Sequence, residues 1–164
     1  MNVLKRIRQL SVKQLWHLSV VFIKQPFLVF PTLNATKKTM QISSDLYGKA
    51  HHKNGPANAF RHAIWNILIA KAAFRKFQNV EKSIAWAEKV TDLHEKLAPN
   101  SPLETAMDLH NNEMGRQFFE EVLDLSEEKM INLLQKRAEN AQKVAKTSEI
   151  EVFKKELVFI KKPL

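Results

Sequence analysis

The chain of 164 residues carries 26 lysines and arginines against 17 acidic residues, which gives a formal net charge of +9. Its hydrophobic content of 45% supports one globular domain with a sizeable core and argues against a disordered chain. The absence of cysteine excludes disulfides and thiolate metal ligands. Helix-forming residues dominate, so we predict an all-α, single-domain bundle of about five helices over residues 1–164.

Positive charge is concentrated at the two ends of the chain. Residues 1–53 contain nine lysines and arginines and one acid, Asp45, and the last stretch adds four lysines. This balance suits an anionic partner, such as a membrane surface or nucleic acid, but also fits a basic surface without a particular partner. The partner itself stays unknown, and we expect a cytoplasmic protein that is either free or peripheral at a membrane.

An amphipathic helix is predicted at the N-terminus, within residues 1–26, and Pro26 ends it. A helix at 3–24 would dock on the domain or lie on an anionic membrane. The apolar stretch that follows Leu18 is too short for a transmembrane span, and no clean cleavage site follows it, so we expect an uncleaved chain. The predicted apolar face comprises Leu4, Ile7, Leu10, Leu15, Leu18, Val21 and Phe22, and the opposite face comprises Arg6, Lys13, His17 and Lys24.

The remaining elements follow from helical periodicity and from caps. Residues 26–57 look irregular or weakly helical, and 50–123 form the motif-bearing core. Within 126–164, a charged helix precedes a basic tail whose β-branched and aromatic residues at 149–162 suggest a short β-hairpin. Ser101, Pro102 and Glu104 mark the start of one helix. Ser126 can cap the charged helix, whose apolar stripe comprises Met130, Leu134, Ala138, Ala141 and Ala145. Helices are predicted at 57–77, 80–97, 102–123 and 127–146.

The helix at 57–77 is apolar nearly all the way round, yet it carries a polar stripe. Asn58, His62 and Asn66 are spaced four residues apart and therefore share one side of the helix. A helix of this kind is central and buried, so its polar groups need partners inside the protein.

The next two helices supply candidate partners. His94 lies at the edge of the apolar face of the helix at 80–97, and Glu95 lies about 100° further round the helix. Asp108, Asn111, Asn112 and Gly115 run along one border of the apolar face of the following helix, and the glycine predicts close approach of another helix or a ligand. Taken singly, each of these groups is equally well explained by a hydrogen bond or a salt bridge in the core. His51 and His52, in the loop before the helix at 57–77, either cap the cavity between these helices or lie on the surface.

Helix bundles build metal and acid–base sites by projecting imidazole and carboxylate groups into the core from facing helices, and three consecutive helices of this chain carry such groups. The imidazoles and carboxylates suit a divalent metal such as Zn or Mn; without a metal, a His–carboxylate pair serves as general base and orienter. The predicted catalytic residues are His62, His94, Glu95 and Asp108. The predicted metal ligands among them are His62, His94 and Asp108, and the predicted substrate-binding residues are Arg61, Asn66, Asn111, Asn112 and Arg116.

With these residues the chain resembles a bacterial domain family of unknown function. The blocks that carry the resemblance are "NAFRHAIWN" at 58–66, "DLHE" at 92–95 and "AMDLHNNEMGR" at 106–116. The resemblance implies an α-helical domain, and relatives at the C-terminal ends of toxin-like secreted proteins suggest an enzymatic effector by analogy only. Many relatives have Asp in place of Asn58, which weakens the expectation of a metal if that Asp is a ligand.

Two functions from different classes follow. The first is a hydrolase-like domain with a buried His/Asp/Glu/Asn site, metal-dependent or not, that acts on a phosphate-containing substrate. The alternative is a non-enzymatic basic module or adaptor, which binds an anionic membrane, nucleic acid or a protein and whose polar cluster is structural. Binding by charge alone would fall steeply with salt, whereas a chemical site need not.

Overall fold

The computed structural model describes residue 23, residues 25–97 and residues 100–160; the predicted helix at 3–24 lies almost entirely outside this part. The described chain is predominantly helical, which confirms the predicted all-α bundle. Short 3₁₀ helices cover Pro26–Leu28 and Gly48–His52. The other elements are α1 (Val29–Tyr47), α2 (Pro56–Phe77), α3 (Val80–Leu97), α4 (Pro102–Gln117), α5 (Phe119–Val122), α6 (Glu127–Glu139), β1 (Gln142–Val144), α7 (Thr147–Ile150) and β2 (Val158–Ile160).

Helix α2 is central, as its all-round apolar pattern predicts. It packs against α1, α3, α4 and α6. Most of its side chains are buried, the polar Asn58, His62 and Asn66 among them. Burial of the surrounding apolar side chains provides the main stabilisation of the bundle. Its C-terminus ends at Gln78 in the left-handed conformation, with φ of 50°.

Helix α1 corrects the sequence prediction, which treated residues 26–57 as irregular or weakly helical. The signal is weak because the buried face of α1 consists of small and mostly polar residues rather than large apolar ones: Thr32, Ala35, Thr39 and Ser43. Pro31 lies in the first turn, where proline costs no intrahelical hydrogen bond. The Thr32 hydroxyl accepts a hydrogen bond from the Trp86 indole at 3.0 Å, which fixes α1 against α3.

Helix starts follow the predicted caps. The Ser101 hydroxyl accepts from the Glu104 amide, and the Glu104 carboxylate accepts from the Ser101 amide, which completes a capping box ahead of α4. At the start of α6, the Ser126 hydroxyl accepts from the Lys129 amide. Within α6, the predicted apolar stripe is buried at Met130, Leu134 and Ala138.

The C-terminal strands form a parallel pair and not the predicted hairpin. Gln142 pairs with Val158 and Val144 with Ile160. The predicted helix at 127–146 was too long, because α6 ends at Glu139 and β1 follows. A parallel pair needs a crossover, which the residues between the strands provide. Val144 and Val158 are buried in a second small core against Met107 of α4, and this burial favours the strand over further helix.

Close packing of α2 and α4 depends on Gly115. A Cβ added there would lie 2.4 Å from the Ala63 carbonyl oxygen and 2.7 Å from the Ala63 Cα. Both atoms belong to the backbone, so they cannot swing aside. The close approach expected from the glycine is confirmed, and it brings α4 within reach of the polar stripe of α2.

We expect Gly115→Ala to destabilise the protein, although alanine is the better helix former by about 1 kcal/mol. Forcing α4 away from α2 should cost about 1–3 kcal/mol beyond that gain. Thermal unfolding of the variant measures the loss. Gly55→Ala is the control, because an added Cβ there meets no atom within 4 Å. Equal melting temperatures for the parent and Gly115→Ala would contradict the close approach.

Candidate functional site

Three ionisable side chains from three helices meet between α2, α3 and α4. His62 of α2, Glu95 of α3 and Asp108 of α4 are exposed by only 2%, 5% and 5%. One ligand atom from each of these residues lies within 4.8 Å of the other two. His62 Nε2 is 3.2 Å from Asp108 Oδ1, and His62 Nδ1 is 3.8 Å from Glu95 Oε1.

Asn112 determines how the His62 ring is held. Its Oδ1 lies 3.0 Å from His62 Nδ1, and its Nδ2 donates to Glu95 Oε1 at 3.2 Å. Asn66 Nδ2 also donates to Asn112 Oδ1, at 2.8 Å. Because this oxygen can only accept, His62 Nδ1 carries the proton, and Nε2 presents its lone pair. Asn66 is itself anchored, since its Nδ2 donates to the His62 carbonyl oxygen.

Arg61 lies beside that lone pair. Its Nη2 is 2.8 Å from His62 Nε2 and therefore donates to the imidazole. With the Asn58 amide turned to match its neighbours, Asn58 Oδ1 accepts from the same Nη2 at 3.0 Å and Nδ2 donates to Asp108 Oδ1 at 3.2 Å. Arg61 is only partly buried, so this cationic side chain extends from the buried cluster towards solvent.

An outer layer of polar contacts supports this cluster. Arg116 Nη1 donates to Asn66 Oδ1 at 3.3 Å, and its Nη2 lies 3.7 Å from Glu88. The Thr91 hydroxyl lies 3.1 Å from the same Asn66 oxygen. Asn100, just ahead of α4, donates to Asp108 Oδ2 at 3.2 Å. These contacts fix the positions of Asn66 and Asp108 beside His62.

Burial shifts the ionisation of all three central groups. Burial, followed by the charge of Arg61, holds the pKa of His62 well below 6.5, so the ring is neutral at pH 7. Burial also raises the pKa of Glu95, against the hydrogen bond from Asn112. Burial and then the charge of Glu95 raise the pKa of Asp108 from 3.8 to about 7. A neutral imidazole beside two poorly solvated carboxyl groups is suited both to bind a cation and to exchange a proton.

The remaining candidates lie around the cluster or away from it. The His94 ring packs edge-on against Trp65, with centroids 5.0 Å apart, and Glu95 rather than His94 completes the group within 4.8 Å. Asn111 bonds the backbone of β2, donating to the Val158 carbonyl and accepting from the Val158 amide, both at 2.9 Å. His51 is buried and His52 is exposed. Asn66, Asn112 and Arg116 support the cluster as described above.

Sequence reasoning missed Thr91 and Asn100. Thr91 is fully buried and bonds its own helix as well as Asn66, and one buried threonine among many gives no sequence signal. Asn100 precedes the Ser101 cap and looks like an ordinary turn residue. A search for amides just before a helix that bears an inward carboxylate would have included it.

Comparisons with known proteins give a family but no activity. The sequence pattern of a family described as "Domain of unknown function (DUF6973)" matches residues 19–142. No curated protein and no solved structure matches the chain. The matched range includes all three helices that form the cluster.

The raised pKa of Asp108 predicts a pH-dependent effect of Asp108→Asn. Because the folded protein binds this proton more tightly than the unfolded chain, protonation of Asp108 stabilises the parent, and the contribution is complete below pH 3.8. The contribution is lost as the pH rises through about 7. The neutral amide cannot ionise, so the stability of the variant relative to the parent should increase from pH 4 to pH 8, by more than about 1 kcal/mol. Urea unfolding with a chelator present measures it.

The exposed Asp45→Asn is the control for a general charge effect. A difference between Asp108→Asn and the parent that stays constant with pH would show that Asp108 ionises normally in the folded protein.

Proposed function

Because the chain belongs to the DUF6973 family, whose description names no reaction, we propose its function from geometry: a divalent-metal-dependent, hydrolase-like domain acting on a phosphate-containing substrate. The observation that carries the proposal is the convergence of His62, Glu95 and Asp108, from three helices, within 4.8 Å. Helix bundles hold catalytic metals with this type of residue and this arrangement.

The donor set suits Zn or Mn. One neutral imidazole and two carboxylates match the nitrogen and oxygen preferences of these ions. The protonated Nδ1 of His62 is held by Asn112 Oδ1, which is the type of supporting hydrogen bond that orients a metal-ligating histidine. A bound ion would polarise a phosphoryl oxygen and lower the pKa of a water molecule.

Arg61 has two roles in this proposal. Its guanidinium lies 2.8 Å from His62 Nε2, the atom that would face an ion, so metal binding requires the side chain to move outward. Arg61 is partly exposed, and an outward rotation places it at the surface side of the cluster. There a planar guanidinium is suited to bind two oxygens of a phosphate group.

The alternative, a non-enzymatic module with a structural cluster, has one observation in its favour. Among the described residues, the buried side-chain nitrogen and oxygen atoms without a partner belong to Ser43, His51 and Arg137, and none lies in the cluster. A fully hydrogen-bonded network stabilises a fold without any ligand. Metal binding therefore separates the two functions better than stability does.

We expect the parent to bind one equivalent of Zn or Mn, measured by elemental analysis after dialysis and by calorimetric titration. His62→Gln should weaken binding by about tenfold or more, because it removes the imidazole ligand. His110→Gln is the control, since His110 bonds the Glu156 carbonyl oxygen and lies outside the cluster. A parent without metal in both measurements would support the structural alternative.

We also expect Arg61→Gln to bind the metal more tightly than the parent, because the competing cation is gone. The same variant should hydrolyse a chromogenic phosphodiester more slowly at low substrate concentration, because the anion loses its partner. Titration and steady-state kinetics measure the two effects. Arg75→Gln, at an exposed arginine of the same helix, is the control. Weaker metal binding by Arg61→Gln would contradict the competition.

A further inference from the structure

Helix α1 and the turn before it present large apolar side chains to solvent. Phe30 is exposed by 77%, Phe27 by 52% and Leu33 by 42%, and Ile23, just before them, is exposed by 74%. Phe27 lies in the 3₁₀ turn that leads into α1, and Phe30 and Leu33 follow at intervals of three residues, so the three side chains share one side of this helical stretch. We call these three residues the α1 stripe. Single exposed apolar residues are ordinary, but a contiguous set marks an interaction site.

Exposed basic side chains lie beside the α1 stripe, where the neighbouring Lys38 is paired with Glu127. At 100° per residue, Lys37 falls between the directions of Phe30 and Leu33, and it is exposed. The Phe27 ring packs edge-on against Phe77, with centroids 6.1 Å apart, which places the stripe beside the end of α2. That end carries Arg75 and Lys76, both exposed. No acidic residue precedes Asp45 in the chain.

The sequence ahead of the stripe has the same character. Residues 1–22 lie outside the described part, but they contain four basic residues, no acid and apolar residues at helical spacing. They join the described chain at Ile23, within a few residues of Phe27. The basic and apolar character of the stripe therefore extends into the segment that precedes it.

We infer that the α1 stripe is a docking surface for an anionic lipid bilayer. Phe27, Phe30 and Leu33 would enter the boundary between headgroups and acyl chains, and Lys37, Arg75 and Lys76 would contact lipid phosphates. Nucleic acid would pair with the same charges but would leave the apolar side chains in water. A bilayer is the anionic surface that takes up both the charge and the apolar area.

The test is cosedimentation of the full chain with phosphatidylcholine vesicles, with and without phosphatidylserine. The parent should bind the phosphatidylserine vesicles more tightly, and added salt should weaken that binding. Phe30→Gln should reduce the partition coefficient by about tenfold or more, because a large apolar contact is lost without a change of charge. Val152→Gln is the matched control, at an apolar residue that is 74% exposed.

Lys37→Gln gives a second, independent variant. It should weaken binding to vesicles that contain phosphatidylserine and leave binding to phosphatidylcholine vesicles unchanged. Melting curves of the three variants verify that each folds like the parent, as expected for substitutions at exposed positions.

Four outcomes would overturn the inference. In the first, the parent fails to bind either vesicle. In the second, Phe30→Gln binds as tightly as the parent, and this result would assign the binding to residues 1–22 alone. Phe30→Gln could lower the melting temperature and expose residues 1–22 to protease without loss of vesicle binding, which would show that the stripe holds that segment. A dimeric parent with a monomeric Phe30→Gln would assign the stripe to a second copy of the chain.

Discussion

The burial of a polar stripe on the central helix is the constraint on which the rest of this structure depends. Asn58, His62 and Asn66 lie on α2 with at most 3% exposure, and each would cost about 1–3 kcal/mol if it lost its partners. Helices α3 and α4 must therefore deliver acceptors and donors at hydrogen-bond distance. This requirement fixes the spacing of the three helices, and Gly115 makes that spacing sterically possible.

The cluster buries two carboxyl groups, which costs more free energy than a hydrogen-bonded network of amides would. Amides such as Asn66 and Asn112 satisfy one another without charge, whereas Glu95 and Asp108 are buried carboxyl groups whose pKa is raised by burial. Burying two carboxyl groups that repel each other, with a neutral histidine between them, lowers the stability of the folded state. Such local conflict is characteristic of functional sites. This conflict is the physical reason to expect a ligand at the cluster.

Helix α1 joins two different surfaces. Its inner face is small and polar enough to pack closely, and Thr32 and Thr36 accept hydrogen bonds from the indoles of Trp86 and Trp65. Its outer face carries large apolar side chains that remain exposed to solvent.

Among residues 23, 25–97 and 100–160, no helix combines the length and the apolar content needed to cross a bilayer.

The sequence by itself determined the helical class, the caps of α4 and α6, the central position of α2 and the need for partners around its polar stripe. These features are local, because periodicity and capping depend on neighbouring residues. Helix α1 was missed because its buried face holds few large apolar residues. The parallel strand pair was missed because Val144 and Val158 are joined by burial against Met107, a contact distant in sequence.

Only the tertiary structure decided which polar groups meet. Periodicity placed His94 at the edge of the apolar face of α3 and Glu95 about 100° away. It could not decide which of the two side chains meets His62, because that depends on how α3 is rotated against α2. That rotation directs Glu95 to His62 and the His94 ring to Trp65. Likewise, adjacent Asn111 and Asn112 look equivalent in sequence, yet one bonds the backbone of β2 and the other holds His62. Helix rotation and strand position are set by the packing of the whole chain, and a local pattern carries no information about either.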